Sequence, residues 1–516
     1  MKRGILPMLT VTILVIAAAS LLFPDIPSPI ATVTATPAKD TVTQPGENNH
    51  HNVGARTCAS STCHGSPKPD TEHPSMIRRD EYFTWLEKDP HARAFDDLDS
   101  PLGKQIFEKL GLTRDGKVPA VSQQLYNTVY NNCLQCHATA IGPESDSAAG
   151  SSELIFDGVS CEACHGSASQ WRTTHYTDDF IDLPTADKQS LGMTDTENIW
   201  KRTSLCVSCH VGSPEAEVNH DLIAAGHPEL KFEMTAYASQ MPAHWKIRPE
   251  PTKDATNRNR ETHLWLAGQV SSATAALNQL DRRATLASQS TPHAVWPELS
   301  ESNCYACHHD LDHTDNWRPS ITGQKPLLPV NDWYLASLFT LANEDQNQGN
   351  AAAGEFCRAW QQLQTSLEKT LAPNPQTVAA HCRQTLAALH TWIDSDSLKH
   401  NGPHPHYSRI RIMNIMKSAI SSDDLNRIME NWDRATQTYL ALFALASTYN
   451  EHGEPHVHSQ SQLLHVRDLL AFPHQTDTRF SSPRNFKGDL SGTDVPENNR
   501  MQIRDQLLHI IQELHP

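Results

Sequence analysis

From residue 331 to the end of the chain, apolar positions recur every three or four residues. The stretches NDWYLASLFTLANE, GEFCRAWQQLQTSLEKTL, TVAAHCRQTLAALHTWI, SRIRIMNIMKSAI, DDLNRIMENWDRATQTYLALFALASTY, SQLLHVRDLLAF and MQIRDQLLHIIQEL each carry an apolar stripe on the helical period and predict amphipathic helices. Pro373 and Pro375 mark a turn, and Ser421-Ser422 offers a helix N-cap. The pattern predicts an all-α helical bundle or hairpin array over 321–516. Cys357 and Cys382 fall on consecutive helices of that region. An axial offset of about 10 Å in a straight hairpin resists a bridge, whose Cα atoms lie within about 7 Å. An oxidising compartment favours one, so both states stay open.

The other strong apolar feature is at the N-terminus. Lys2 and Arg3 precede Ile5 to Phe23, nineteen residues without a charge. The run is long for a signal-peptide core and near the lower limit of a membrane span. Residues 1–23 are therefore either a cleaved signal or an uncleaved anchor. Both place the remainder outside the cytoplasm, because the basic end stays inside. Residues 24–56, rich in Pro, Thr and Ala, predict an extended linker.

Between these ends, over 57–320, cysteine and histidine organise the chain. Cys133-Leu-Gln-Cys136-His137, Cys161-Glu-Ala-Cys164-His165, Cys206-Val-Ser-Cys209-His210 and Cys304-Tyr-Ala-Cys307-His308 are four C-x-x-C-H motifs. At the chain's usage of 12 Cys and 29 His in 516 residues, chance supplies roughly 0.02 such matches. Two residues between the cysteines make about one helical turn, which suits thioether bonds to the two vinyl groups of one haem. The adjacent histidine then turns its imidazole onto the iron from the same side. A thioredoxin-type C-x-x-C would occur once and would not require the histidine. Zinc knuckles pair across a chain and do not explain the export signal.

A fifth site, CASSTCHG, has four residues between Cys58 and Cys63, with Ser60 where the regular motif has its first cysteine. Either Cys58 reaches the haem through a looped-out Ala59–Thr62, or Cys63 holds it alone. Cysteine parity favours the first, since it leaves only Cys357 and Cys382 over. The reading is five haem c groups, held by ten thioethers and by the proximal histidines His64, His137, His165, His210 and His308.

Each iron takes a sixth ligand or stays open. His91 follows the helix-ending Asp89-Pro90, His175 lies ten residues after His165, and His220 and His227 flank NHDLIAAGHPEL. His309 directly follows His308 and points away from it. These five are the candidate distal ligands, with His244 and His263 in reserve and His50 and His51 assigned to the linker. Histidine ligation gives lower potentials than methionine.

Apolar residues make up 38% of the chain and charged residues 20%, with a net charge of −17. The acidic balance argues against nucleic acid, whose binding rests on Lys and Arg neutralising phosphates. It suits redox partner proteins with basic docking surfaces. An uncleaved N-terminus would add the membrane as a partner.

GVSCEACHG followed by Trp171 and His175, then CVSCH with HDLIAAGHPEL and FE, then CYACHHDL with Trp317-Arg318, resembles the multihaem cytochromes c of the cytochrome c-554 type, the cytochrome c-552/c-554 family. The resemblance covers roughly 57 to 320. It implies closely packed haems that carry electrons in the periplasm, often in nitrogen-compound oxidation, with one haem able to lack a sixth ligand. The fifth haem site and the long C-terminal extension depart from the family pattern. The expected fold is mainly α: a multihaem cytochrome domain with little regular sheet over 57–320, then the helical domain. The expected function is electron transfer through five covalently bound haems in the periplasm. The alternative is an oxidoreductase acting on a small nitrogen or sulfur compound at one five-coordinate haem.

Overall fold

The computed structural model describes residues 50–514, except 71–76, 115, 119–122, 140–153, 215, 247–259, 291–293, 305–306, 308–327, 396–407, 421–427, 429–431, 452–456 and 471–496. The apolar run Ile5–Phe23, Ser421-Ser422, His308 and His309 lie outside the described residues. Among those described the protein is mainly helical, with isolated bridges and no strand. No helix among them is long and apolar enough to cross a membrane.

The periodic stretches of the C-terminal half form the helices Ala336–Asn347, Ala351–Glu368, Pro375–Ser395, Arg409–Ala419, Trp432–Glu451, Val457–Leu470 and Glu497–Glu513. Pro375 is the first residue of its helix, where a missing N–H costs nothing. Asn374 Oδ1 caps that helix by accepting from the Thr377 N–H at 2.9 Å. The apolar stripes meet in one continuous core that includes the fully buried Trp392, Trp432 and Phe356.

That core does not stop at residue 320. The helix Arg260–Ser288 has 29 residues and is therefore about 44 Å long. Its Trp265, Leu266, Val270, Ala273 and Leu277 join the C-terminal core. Its Leu264 joins a second cluster with Val207, Val211, Phe232 and Met234 of the haem-motif half. One rigid helix is thus shared by both halves. The helix Met234–Gln240 crosses it closely: a Cβ on Gly268 would stand 2.3 Å from Met234 Cβ. Elsewhere the side-chain core of the haem-motif half is sparse. A further small cluster holds Ala168, Trp171 and Phe180, with Val53 and Met193 packed on it.

The hairpin of Ala351–Glu368 and Pro375–Ser395 settles where its cysteines lie. Phe356 stacks on Trp392 at 5.3 Å and 23°, which sets the register. Cys382 then sits about nine residues, or ~13 Å along the axis, from the level of Cys357. Both thiols are buried and free. Cys357 Sγ donates to Asn343 Oδ1 at 3.4 Å, and burial pushes its pKa up to about 11. The parity argument for Cys58 loses its force, because two unbridged cysteines are accommodated here as core residues.

Two outcomes are expected. Alkylation of the denatured, unreduced protein labels both Cys357 and Cys382; a peptide linking them would contradict the register. Gly268→Ala lowers stability by about 1–3 kcal/mol through overpacking, read by chemical denaturation against Met234→Ala in the same background, where the added methyl is tolerated.

Candidate functional site

Three of the regular motifs are built on helix. Cys133–His137 is the last turn of the helix Gln123–His137, Cys206–His210 the last turn of Ile199–His210, and Cys161–His165 is a one-turn helix of its own. The helical pitch sets the two cysteines of each motif on one face, with the histidine beyond them. Asn198 starts the second of these helices by accepting from the N–H groups of Trp200 and Lys201 at 3.0 and 3.2 Å. Its far end is anchored to the long helix, where Gln279 Nε2 donates to the Val211 carbonyl at 2.8 Å. Cys304 and Cys307 are described, with the Cys304 thiol 3.8 Å from Glu229 Oε1.

The irregular motif makes a tight loop. Cys58 ends the 3-10 turn Ala55–Cys58, and the N–H groups of Cys63 and Gly65 both donate to the Ser60 carbonyl at 2.9 Å. Gly65 is needed there: a Cβ would stand 1.9 Å from the Ala59 carbonyl oxygen. The two extra residues are folded into this turn, and the thiol of Cys58 is left against that of Cys161.

The four motif histidines of the described residues each face a second histidine. Ring centroids lie 6.1 Å apart for His64 and His175, 5.9 Å for His210 and His91, 6.4 Å for His137 and His227, and 6.3 Å for His165 and His244. Two imidazoles bound to one metal at about 2 Å from each nitrogen, with rings of about 1.1 Å radius, would have centroids about 6.3 Å apart. The rings are near parallel in the first pair, at 15°, and near perpendicular in the others, at 85°, 86° and 77°.

In five of these eight histidines the other ring nitrogen is occupied. His64 Nδ1 donates to Glu81 at 3.2 Å and His91 Nδ1 to Asp89 at 2.9 Å. His137, His175 and His227 donate from Nδ1 to the carbonyls of Ala94, Arg172 and Pro228 at 2.6, 2.8 and 2.8 Å. Such bonds fix the tautomer and leave Nε2 with its lone pair, as metal-bound histidines require. The carboxylate partners raise the pKa of His64 and His91. Burial drives His165 and His210 down to about 4, with His244 and His91 adding to the effect, so both rings are neutral.

The cysteines and histidines of these four motifs, with His91, His175, His227 and His244, line one cavity of about 3410 Å³. A site for one drug-sized ligand has about 300–1,000 Å³, so the space suits several large groups side by side. The residues present fit covalently bound haem: paired thiols, facing imidazoles at metal-sharing distance, and room between them. The motifs also adjoin in an order that differs from the sequence. Cys58 meets Cys161, Cys164 lies near Cys206 and Cys209, and Cys209 meets Cys136.

Of the five histidines nominated as distal ligands, His91, His175 and His227 stand in such pairs. His220 heads the helix His220–Ala225, with its backbone N–H donating to Glu298 Oε1 at 2.9 Å; the remaining motif histidine, His308, lies outside the described residues. The place opposite His165 belongs to His244, the reserve candidate. A local signal distinguishes it: His91, His227 and His244 each have a proline within two residues (Pro90, Pro228, Pro242), which stiffens the loop that must hold the ring. His50 and His51 are tied to the haem-motif half, with the His51 N–H donating to Ser169 Oγ at 3.1 Å, and the adjoining Val53 N–H donates to Glu162 at 2.9 Å. The linker therefore ends before them.

Residues 57–166 match the family model described as cytochrome c554 and c-prime. No curated protein and no solved structure matches the chain. The match supports a c-type cytochrome of electron transfer with covalently bound haem.

Peptide mapping checks the loop at Cys58. The peptide with Cys58 and Cys63 is expected to carry haem with neither thiol open to alkylation. In Cys58→Ala the same haem is held by one thioether; an alkylated Cys58 in the native protein would mean that Cys63 alone holds it.

Proposed function

We propose that the chain is a periplasmic multihaem cytochrome c with five haems, carrying electrons between redox proteins. The observation that carries this reading is the set of four histidine pairs at 5.9 to 6.4 Å around one cavity, each including the histidine of a thioether motif. His64, His137, His165 and His210 are the proximal ligands, and His175, His227, His244 and His91 their respective partners. Cys304, Cys307 and His308 hold the fifth haem. Bound haem supplies one-electron chemistry, with potentials set by axial ligands, hydrogen bonding and burial.

The protein's own part is to place and tune. The cysteine contacts order the sites as His64, His165, His210, His137, and Glu229 brings Cys304 to the last of them. This is a row, suited to passing charge from one end to the other. His165 and His210, held neutral by desolvation, lie in its middle. The export signal puts the row outside the cytoplasm, and the net charge of −17 suits basic partner proteins. The alternative, an oxidoreductase, needs an iron with an open position. The facing histidine at each of the four sites favours the carrier.

Low-spin ferric EPR tests the assignment. The crossed pairs are expected to give strongly axial signals and the parallel His64–His175 pair a rhombic one. His91→Ala and His244→Ala each convert one haem to high spin and leave the others unchanged, while His220→Ala leaves these four sites low-spin. High-spin iron at any of the four sites in the unaltered protein, with turnover of nitrite or hydroxylamine, would favour the enzyme.

A further inference from the structure

The segment His227–Met234 reaches three haem motifs. His227 faces His137. Phe232 stacks on His210 at 5.1 Å and 24°. Glu229 Oε1 meets the Cys304 thiol at 3.8 Å. What holds the segment comes from the C-terminal half. The Tyr334 hydroxyl donates to the Leu230 carbonyl at 2.6 Å, Trp333 Nε1 to the Phe232 carbonyl at 3.0 Å, and Asn331 Nδ2 to Glu229 Oε1 at 3.2 Å.

At its centre is a buried ion pair. The Lys231 side chain is 5% exposed and bonds Asp433, itself 2% exposed, on the helix Trp432–Glu451. Its ammonium lies 3.7 Å from Glu229 Oε2 and 5.1 and 5.4 Å from the Trp333 and Trp432 ring centroids. Lys231, Glu229 and Trp333 all line the haem cavity.

We propose that Lys231 and Asp433 are positioning residues through which the C-terminal half holds the distal-ligand segment and sets the potentials of the haem sites at His137–His227 and His210–His91. The proposal rests on the reading of those pairs as haem ligands. Its physical basis is that charges held away from water act at low effective dielectric. A fixed cation beside a haem disfavours the ferric form and raises the potential; a fixed anion does the reverse. An apolar side chain of lysine's length would pack equally well beside the two indoles. Lysine adds a charge there, and Asp433 on the far half fixes where that charge sits.

The test is a potentiometric titration of the full, haem-loaded chain, with EPR of the same samples. Lys231→Met is expected to lower the midpoint potentials of these two sites and Asp433→Asn to raise them. The double variant returns towards the native values, and Lys231→Arg stays near them. A merely structural pair would move both single variants the same way or move neither, and either result overturns the proposal. Should Lys231→Met fail to accumulate, Asp433→Asn and Lys231→Arg carry the test, and unchanged potentials in Asp433→Asn overturn it. The low-spin spectrum of the unaltered protein is the separate check on the haem reading. If that spectrum holds and the variants leave the potentials unmoved, only this proposal falls.

Discussion

Two imidazoles that share one metal must keep their ring centres about 6.3 Å apart with an Nε2 lone pair turned inward on each side. The haem-motif half is organised around meeting that spacing four times. The motif supplies one ring locally. The other comes from roughly 80 to 120 residues away in the chain, so the constraint closes long loops and ties distant segments together. A lone imidazole at the end of such a loop would rotate freely. The carboxylates of Glu81 and Asp89 and the carbonyls of Ala94, Arg172 and Pro228 stop the rotation through Nδ1.

The same constraint explains why the two halves pack so differently. Around the cavity, apolar side chains form only small clusters, because the volume they would fill is the cavity that the motifs line. The C-terminal half has a continuous core of stacked and interleaved helices. The helix Arg260–Ser288 transfers that rigidity. It takes part in both cores, and Thr203 and Ser271 join it to the helix bearing Cys206, Cys209 and His210 by a hydroxyl contact of 2.8 Å. A site whose own side-chain core is thin is thereby braced by a core that holds no haem.

Legibility in the sequence follows how local each feature is. The C-x-x-C-H motifs are complete within five residues, and a helical turn carries their geometry, so their chemistry can be read directly. The C-terminal helices are equally plain, because the stripe that predicts each one is the surface it buries. Distal partners are another matter. His220 and His227 share one short stretch, and of the two it is His227 that lines the cavity of the four described pairs. The Asn219 cap begins a helix at His220 and commits its backbone to Glu298, whereas Gly226 and Pro228 break the chain around His227. His244 could be weighed only by its prolyl neighbour, since what selects it is the position of His165 far upstream. The domain boundary near 320 is legible as the end of the motifs and not as a break in packing. The hydrophobic pattern of Arg260–Ser288 serves two cores at once and does not reveal which half it belongs to.

The lengthened first motif shows how far the spacing rule extends. Two added residues between cysteines would displace Cys58 from the haem edge if the chain continued as a helix. Instead the Ser60 carbonyl gathers two N–H groups, Gly65 admits the Ala59 carbonyl, and the excess chain is taken up outside the cavity. On the other side of Cys58, the Thr57 hydroxyl and N–H both bond the Gly54 carbonyl, at 2.8 and 3.1 Å, and the Gly54 N–H is held by Glu162 at 2.8 Å. Glu162 belongs to the third motif. The position of Cys58 is therefore set by the neighbouring motif as well as by its own loop. Where helical pitch shapes the short motifs, the long one takes its shape from its own turn and from docking on the adjoining motif.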